Sequence, residues 1–401
     1  MMKQVKKYTI YTIPTVCYQF FQYRALPILF LKLSGFISSF ILFIISFKEI
    51  FNKSYRIGTI PFWIKTIILL SLFSYITAFI VWDQPLPNSF RSSIDVLNLS
   101  FFFVLVKWKV DVKLLIRLMK IYAIVAVLLW LYAVSQFPNL MFGMLGEDDV
   151  FLKEFDNRGG LRFSIVGSRF VILCFFYYLG KALNLKGNKR LWAIILSLVT
   201  FIFSCADKTR SNIASIVIAG IIMVYIHSKS LFSFILKITL VSVILFGIIF
   251  YYFGDTIIAL VELTEDQFTS GSDVDDGFWR IKEYIYFFAE FKNSIYTVIF
   301  GNGFANHSSL QIYLDSIKIN KGFYLSDVNY ATIFITLGIA GLWAYMGLMY
   351  NLLKQKINHD YIYAKIYLVY VIFSNFTIAS MTDSIPLAIC AYIIYNNNEI
   401  K

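Results

Sequence analysis

Long apolar stretches recur along the whole chain, and they constrain its fold more than any other feature of the sequence. A helix needs about 20 mostly apolar residues to cross a bilayer whose hydrocarbon core is about 30 Å thick. This criterion predicts twelve spans, or ten to eleven if the short first and last stretches do not cross: 8–24, 28–47, 61–81, 90–106, 114–136, 161–180, 190–206, 210–227, 231–254, 327–350, 361–380 and 384–396. We therefore expect an all-α, polytopic membrane bundle that forms a single domain over residues 1–401.

The composition excludes the other common classes of protein. Hydrophobic residues make up 59% of the chain and charged residues 15%, whereas soluble domains average about 45–50% and about 25%. The same excess of apolar residues argues against a disordered, collagen-like or coiled-coil chain. The cysteines lie singly, without the paired spacing of a zinc site or a disulfide framework: Cys17, Cys174, Cys205 and Cys390.

The net charge of +12 is distributed unevenly among the predicted loops. Alternate loops carry the lysines and arginines that are retained on the cytoplasmic side of a membrane: Lys48, Lys53, Arg56, Lys107, Lys109, Lys113, Lys181, Lys186, Lys189, Arg190, Lys229, Lys354 and Lys356. The intervening loops at 137–160 and 255–326 are acidic and are predicted to face the extracytoplasmic side. The alternation places both termini in the cytoplasm, and it assigns the charge to topology rather than to nucleic-acid binding.

The loop at 255–326 is far longer than a connecting turn, and loops of this length usually carry function. Its second half repeats apolar residues at helical spacing, with charged residues between them: Phe278, Ile281, Tyr284, Ile285 and Phe288. This pattern predicts an amphipathic helix that lies on the membrane surface or caps the bundle. Gly301-Asn302-Gly303 then predicts a tight turn.

Arginines also occur on the predicted extracytoplasmic side, where topology does not require them: Arg158, Arg162, Arg169, Arg210 and Arg280. The spacing of the first three would stack them on one face of the sixth span. Each arginine has a simpler alternative role. For those three it is anchoring at the membrane interface, and for Arg280 it is ordinary surface exposure. For Arg210 the alternative is local charge pairing, in which Asp207 forms an ion pair with Lys208 or Arg210. Guanidinium groups bind phosphate oxygens bidentately, so such a cluster suits a lipid-linked diphosphate at headgroup level.

Candidate acid–base groups are few on that side. Of the three histidines, His307 alone lies in a predicted extracytoplasmic loop, whereas His227 and His359 lie at cytoplasmic helix ends. Asp327 opens the tenth predicted span, where it is either a helix N-cap or a carboxylate able to take a proton from a sugar hydroxyl. His307 is the other candidate for this role.

The layout and three local patterns together resemble the superfamily of bacterial O-antigen polymerases and O-antigen ligases, Wzy and WaaL. The patterns are Thr209-Arg210-Ser211 at the start of a span, Arg280 followed by Gly301-Asn302-Gly303-Phe304, and Asp327-Val328-Asn329-Tyr330 followed by Gly338-Ile339-Ala340-Gly341. The last pattern favours the polymerase branch. The resemblance implies a GT-C-like glycosyltransferase in the bacterial inner membrane, with its large periplasmic loop before the last three spans.

The implied reaction transfers an oligosaccharide from undecaprenyl diphosphate to the non-reducing end of another lipid-linked repeat unit. In this reaction Arg158, Arg162, Arg169, Arg210 and Arg280 would bind or stabilise the diphosphates, and Asp327 or His307 would act as the base, with Arg210 also in a catalytic role. No metal or cofactor is implied, because arginines can supply the positive charge. The implied partners are lipid-linked oligosaccharide, membrane lipid and a chain-length regulator. The alternatives are an O-antigen ligase, which joins polymer to lipid A-core, and a lipid-linked oligosaccharide flippase.

Overall fold

The computed structural model describes residues 2–23, 25–52, 54–136, 155–156, 160–161, 167–205, 210–228, 230, 279–291, 294–377 and 384–397. These residues are helical apart from turns, loops and one short antiparallel pair, Phe155–Asp156 with Gly160–Leu161. The helices are α1 Met2–Cys17, α2 Ile28–Ile50, α3 Ile60–Trp82, α4 Leu86–Ser92, α5 Ile94–Trp108, α6 Val112–Gln136, α7 Arg169–Asn184, α8 Gly187–Ser204, α9 Arg210–Ile226, α10 Trp279–Ile285, α11 Ile295–Phe300, α12 Ser309–Lys321, α13 Asn329–Lys354, α14 Ile362–Ser374 and α15 Ser384–Asn396.

Four of the helices in the described ranges are long and apolar enough to cross a membrane: α2, α3, α6 and α13. They correspond to the predicted spans 28–47, 61–81, 114–136 and 327–350. The all-helical character of the prediction is confirmed for this part of the chain, apart from the short strand pair. The predicted span at 231–254 lies outside the described residues.

The predicted span at 90–106 corresponds to a bent pair of helices. The chain forms two helices here, α4 and α5, which meet at an angle of 64° and together could make a fifth span. Ser93 lies at the bend, where its side chain is hydrogen-bonded to the hydroxyl of Tyr75 on α3 and donates to the carbonyl of Phe90. Hydropathy summed over the segment does not detect such a bend, because both arms are apolar.

The sixth span also begins later than predicted. Gly160–Leu161 is a strand, Gly167 has a φ of 94°, and α7 begins only at Arg169. The expectation that three arginines stack on one face of this helix is therefore wrong, because Arg169 is its first residue. The side chains of Arg158 and Arg162 lie outside the described residues.

Helix α13 is broken at Gly338, whose φ of 72° and ψ of −174° are not helical. The rings of Tyr330 and Tyr345 have centroids 6.4 Å apart. Fifteen residues of straight helix would separate these positions by about 22 Å along the axis, too far for the rings to meet. The two halves of α13 are therefore bent toward each other at Gly338.

The described helices enclose two apolar cores. The larger joins α3, α5, α6, α7, α13, α14 and α15, and its largest fully buried side chains are aromatic: Phe101, Phe102, Phe103, Phe170, Phe176, Tyr363, Tyr367 and Tyr370. The smaller core lies under α10 and α12 and includes Phe287, Phe291, Leu310 and Phe334. The smaller core fastens the described end of the large loop to the first half of α13.

Candidate functional site

Helix α10 confirms the predicted helix in the large loop, but the protein buries an unexpected face of it. Ile281, Ile285 and Phe288 are exposed, whereas Glu283 is fully buried. The helix continues into a π-helical turn, Tyr286–Glu290, which turns its aromatic residues into the smaller core. The apolar stripe thus points away from the protein, as expected of a helix at a membrane surface.

Burial of Glu283 creates a compact charged cluster with Arg280 and Asp327. Nη1 of Arg280 lies 3.0 Å from Oε2 of Glu283 and also forms an ion pair with Oδ2 of Asp327. The other carboxylate oxygen of Glu283 accepts the backbone N–H of Tyr324 at 3.0 Å. Glu283 therefore holds both the guanidinium group and the turn that carries Asp327.

The cluster differs in exposure from one member to the next. The side chain of Glu283 is 0% exposed, while those of Arg280 and Asp327 are 40% and 36% exposed. A ligand that approaches from outside therefore meets Arg280 and Asp327 directly. Glu283 lies behind them and cannot be reached without movement of the cluster.

The charges within the cluster perturb one another. Burial disfavours the charged form of Arg280, but the hydrogen bond and charge of Asp327, followed by those of Glu283, raise its pKa above the ordinary value. Burial raises the pKa of Glu283, and this effect outweighs the opposing effects of the Tyr324 N–H and of Arg280. Arg280 consequently carries its positive charge at every physiological pH.

Asp327 is not the N-cap of α13. It ends a short 3₁₀ turn, Leu325–Asp327, and α13 begins two residues later at Asn329 with Val328 as its uncapped N-cap. The hydroxyl of Ser326 donates to Oδ1 of Asp327 at 3.2 Å. The carboxylate is thus held by Ser326 and Arg280 rather than by the helix that follows it.

The glycine-rich turn of the large loop meets the break in α13. A broken helix leaves carbonyl groups without their usual donors, and the turn supplies replacements. The backbone N–H of Asn302 donates to the carbonyl of Ile335 at 2.7 Å, and the N–H of Gly303 donates to that of Thr336 at 3.1 Å. A Cβ atom on Gly301 would overlap the backbone of Thr336, so only glycine permits this approach.

The turn is also fastened to α3. Thr77 donates to the carbonyl of Gly301 at 2.6 Å, and Nε1 of Trp82 donates to Oδ1 of Asn302 at 2.9 Å. A Cβ atom on Gly303 would come within 2.7 Å of Cβ of Ala78. The motif at Gly301–Phe304 and the motif that ends at Gly338–Gly341 are therefore joined in one structural unit, which packs against α3.

His307 is exposed and has a φ of 46°, in the loop between this turn and α12. The N–H of Asn306 and the hydroxyl of Ser308 both donate to Oε1 of Gln84, at 3.0 and 2.7 Å. Helix α12 has 13 residues, which is about 20 Å of helix, and it lies between His307 and Tyr324. The structure does not bring His307 into the Arg280–Asp327 cluster.

Arg169 forms a second, more deeply buried polar group with Asn212 and Tyr370. Its side chain is 8% exposed, and Nη1 donates to Oδ1 of Asn212 at 3.0 Å. The hydroxyl of Tyr370 donates to the same oxygen at 2.6 Å, and the guanidinium carbon lies 5.5 Å from the centre of the Tyr370 ring. That separation is within the range of a cation–π interaction.

Helix α14 connects the two arginine groups. Tyr370 lies near its end, and the hydroxyl of Tyr284, next to Glu283, donates to the carbonyl of Phe376 at 3.0 Å. Positions 370 and 376 are about 9 Å apart along a helix axis. The hydroxyl of Tyr330 also donates to the carbonyl of Ile372 at 3.0 Å. Arg169 and Arg280 therefore lie at the same end of α14.

Arg210 begins α9, two residues before Asn212, so its backbone lies at that same end. Its side chain and Asp207 are outside the described residues. Sequence reasoning did not single out Glu283, Asn212 or Tyr370, which position the arginines. The signal for Asn212 was its place two residues after Arg210 at the start of an apolar helix. Glu283 carried no signal, because it falls among other charged residues.

No group of three or more histidine, cysteine, aspartate or glutamate residues that could hold a metal ion occurs in the described ranges. A comparison with protein-family models and with curated protein sequences finds no match to this chain.

Proposed function

We propose that this protein is a membrane glycosyltransferase that polymerises lipid-linked oligosaccharide repeat units, as an O-antigen polymerase does. The observation that carries the proposal is the pairing of a partly exposed carboxylate, Asp327, with Arg280, at the end of α14 where Arg169 is buried. This arrangement offers a base for a sugar hydroxyl beside cations for a diphosphate.

In the proposed reaction the diphosphate of the donor binds Arg280 and draws it away from Asp327. Asp327 then accepts the proton of the acceptor hydroxyl, whose oxygen forms a bond to the anomeric carbon of the donor sugar. The bond between that carbon and the phosphate oxygen breaks, and undecaprenyl diphosphate leaves with both bonding electrons. Arg280, Arg169 and Arg210 stabilise the negative charge that develops on the leaving group.

Glu283 has a positioning role in this scheme. It holds Arg280 through one oxygen and the Tyr324 backbone through the other. When the diphosphate draws Arg280 away from Asp327, Glu283 keeps the guanidinium group in the site. The exposed stripe on α10 would rest at the bilayer surface, where the diphosphate of a lipid-linked substrate lies.

The remaining expectations belong to the same proposal. They are twelve spans in a GT-C-like arrangement, both termini in the cytoplasm of a bacterium, and a large periplasmic loop before the last three spans. Arg158 and Arg162 would extend the diphosphate site from the smaller loop, and His307 remains an alternative base. A chain-length regulator would be the protein partner, and no cofactor is required.

A flippase is the second candidate, because broken helices such as α4–α5 and α13 are frequent in transporters. In transporters the unwound backbone usually remains available to substrates or ions. Here the carbonyls of Ile335 and Thr336 are already occupied by the glycine-rich turn. An O-antigen ligase would use the same donor site with lipid A-core as acceptor.

A deletion strain separates these candidates through its surface polysaccharide. Lipopolysaccharide with a single repeat supports a polymerase. Unattached lipid-linked polymer supports a ligase. Retention of lipid-linked units inside the cell supports a flippase. Complementation with Asp327→Asn, Arg280→Ala or Arg210→Ala should then give single repeats at unchanged protein abundance. Asp360→Asn is the matched control, because Asp360 is exposed and pairs only with Lys181 among its described contacts. Wild-type chain ladders from Asp327→Asn and Arg280→Ala would refute the proposed site.

A further inference from the structure

Asn329, the first residue of α13, is fully buried and has no side-chain hydrogen-bond partner among the described residues. Asn329 is 0% exposed, and in the described part of the chain neither its Oδ1 nor its Nδ2 has a partner. Most buried polar side chains are hydrogen-bonded, so an amide with both groups unpaired requires an explanation. Asn329 lies two residues after Asp327 in the third motif of the sequence.

The hydroxyl groups of the same helix do not serve Asn329. Thr332 donates to the carbonyls of Leu325 and Val328, and Thr336 donates to that of Thr332. The N-cap of α13 provides no side-chain hydrogen bond either. The side chains at the start of α13 therefore form hydrogen bonds neither with the carboxamide of Asn329 nor with the first backbone N–H groups of the helix.

A second unpartnered group lies at the same end of the bundle. Ser384, the first residue of α15, is 2% exposed, and its hydroxyl also has no hydrogen-bond partner within the described ranges. Tyr330, next to Asn329, donates its hydroxyl to the carbonyl of Ile372 near the end of α14, and Ser384 follows that end of α14 along the chain. Asp327, two residues before Asn329, is partly exposed.

We propose that the carboxamide of Asn329 binds two neighbouring hydroxyl groups of the acceptor sugar and thereby positions the hydroxyl that reacts at Asp327. A carboxamide presents one acceptor and one donor side by side, which matches a vicinal diol. The inference rests on the proposed function and assigns Asn329 a positioning role. Because Asn329 is fully buried, the sugar ring reaches it only when the Leu325–Asp327 turn moves aside.

The test replaces Asn329 with leucine, which has a similar shape and no polar group. Removing an unpartnered amide loses no hydrogen bond, so the thermal midpoint of the purified protein in detergent should stay the same or rise. The same variant in the deletion strain should produce at least tenfold fewer chains longer than two repeats. Asn329→Gln retains the carboxamide and should recover part of this loss.

Asn98→Leu is the matched control, because Asn98 is also buried but its side chain accepts a hydrogen bond from the hydroxyl of Ser39 at 2.8 Å. It should lower the thermal midpoint and leave the chain length per molecule of protein unchanged. A fall in midpoint with Asn329→Leu that equals the fall with Asn98→Leu would show a structural role and overturn the inference. Wild-type ladders from Asn329→Leu beside single repeats from Asp327→Asn would overturn the inference alone. Wild-type ladders from both variants would overturn the proposed function as well.

Discussion

Replacement of Gly338 by alanine should be the most destabilising glycine-to-alanine change in the broken helix. The φ of 72° and ψ of −174° at this residue lie in a region that is essentially restricted to glycine, and a side chain there costs about 1–3 kcal/mol. The added Cβ atom would also overlap the carbonyl of Ile299 and come within 2.6 Å of the backbone nitrogen of Gly301. Overpacking of this kind costs about 1–3 kcal/mol more.

The combined loss is about 2–6 kcal/mol, which is large against the marginal stability of most proteins. The assay is the thermal midpoint of the protein purified in detergent. The protein carries a fluorescent fusion, and unfolding is followed as the loss of its peak from a size-exclusion column. Two control variants separate the causes. Gly58 has a φ of 84°, and no described atom lies within 4 Å of an added Cβ, so Gly58→Ala reports backbone strain alone.

Gly220 lies inside helix α9, where an added Cβ makes ordinary contacts no closer than 3.8 Å. Gly220→Ala should therefore be neutral or stabilising by about 1 kcal/mol, because alanine favours helix. The expected order of midpoints is Gly220→Ala highest, then Gly58→Ala, then Gly338→Ala. Equal midpoints for Gly338→Ala and Gly58→Ala would refute the close packing of the glycine-rich turn against the break.

Three further outcomes follow from the charged and polar groups. The raised pKa of Glu283 means that this carboxyl group binds its proton more tightly in the folded protein than in the unfolded chain, so the free energy of unfolding falls as pH rises above the ordinary carboxyl range. Glu283→Gln should flatten this fall when thermal midpoints are measured from about pH 4 to pH 8. An unchanged slope of midpoint against pH would contradict the prediction. Asn212→Ala removes an acceptor of Arg169 and should cost about 1–3 kcal/mol in thermal stability, so a neutral variant would argue against the buried contact. Lys181→Ala breaks an exposed ion pair with Asp360 and should change stability by less than about 1 kcal/mol, and a larger loss in the same assay would show a role beyond that pair.

The sequence predicts helices best where apolar residues run for twenty or more positions without interruption. Helices α2, α3, α6 and α13 begin or end within a few residues of the predicted spans. The breaks in α4–α5 and at Gly338 were not predicted, because hydropathy depends on composition and not on direction. A bend depends on local hydrogen bonds, such as the one between the side-chain hydroxyls of Ser93 and Tyr75.

The sequence predicted the charged residues of the candidate site, but not the residues that position them. Arg280 and Asp327 were proposed from motifs 47 residues apart, and the structure pairs them. Burial of Glu283 could not be anticipated, since an amphipathic pattern places a carboxylate on the polar face. In a membrane protein that face can turn inward to polar partners, and the apolar face can turn outward to lipid. The role of Asn212 likewise depends on Tyr370, which is 158 residues away.

The hydrogen bonds between the glycine-rich turn and the break in α13 fasten together two points of the chain that are 33 residues apart. The segment between them, which includes α12 and the turn of Asp327, consequently leaves the bundle and returns to it close to the point where it left. Loop-closure entropy changes only slowly with length. This segment can therefore be lengthened, shortened or resequenced while the bundle beneath it keeps its packing.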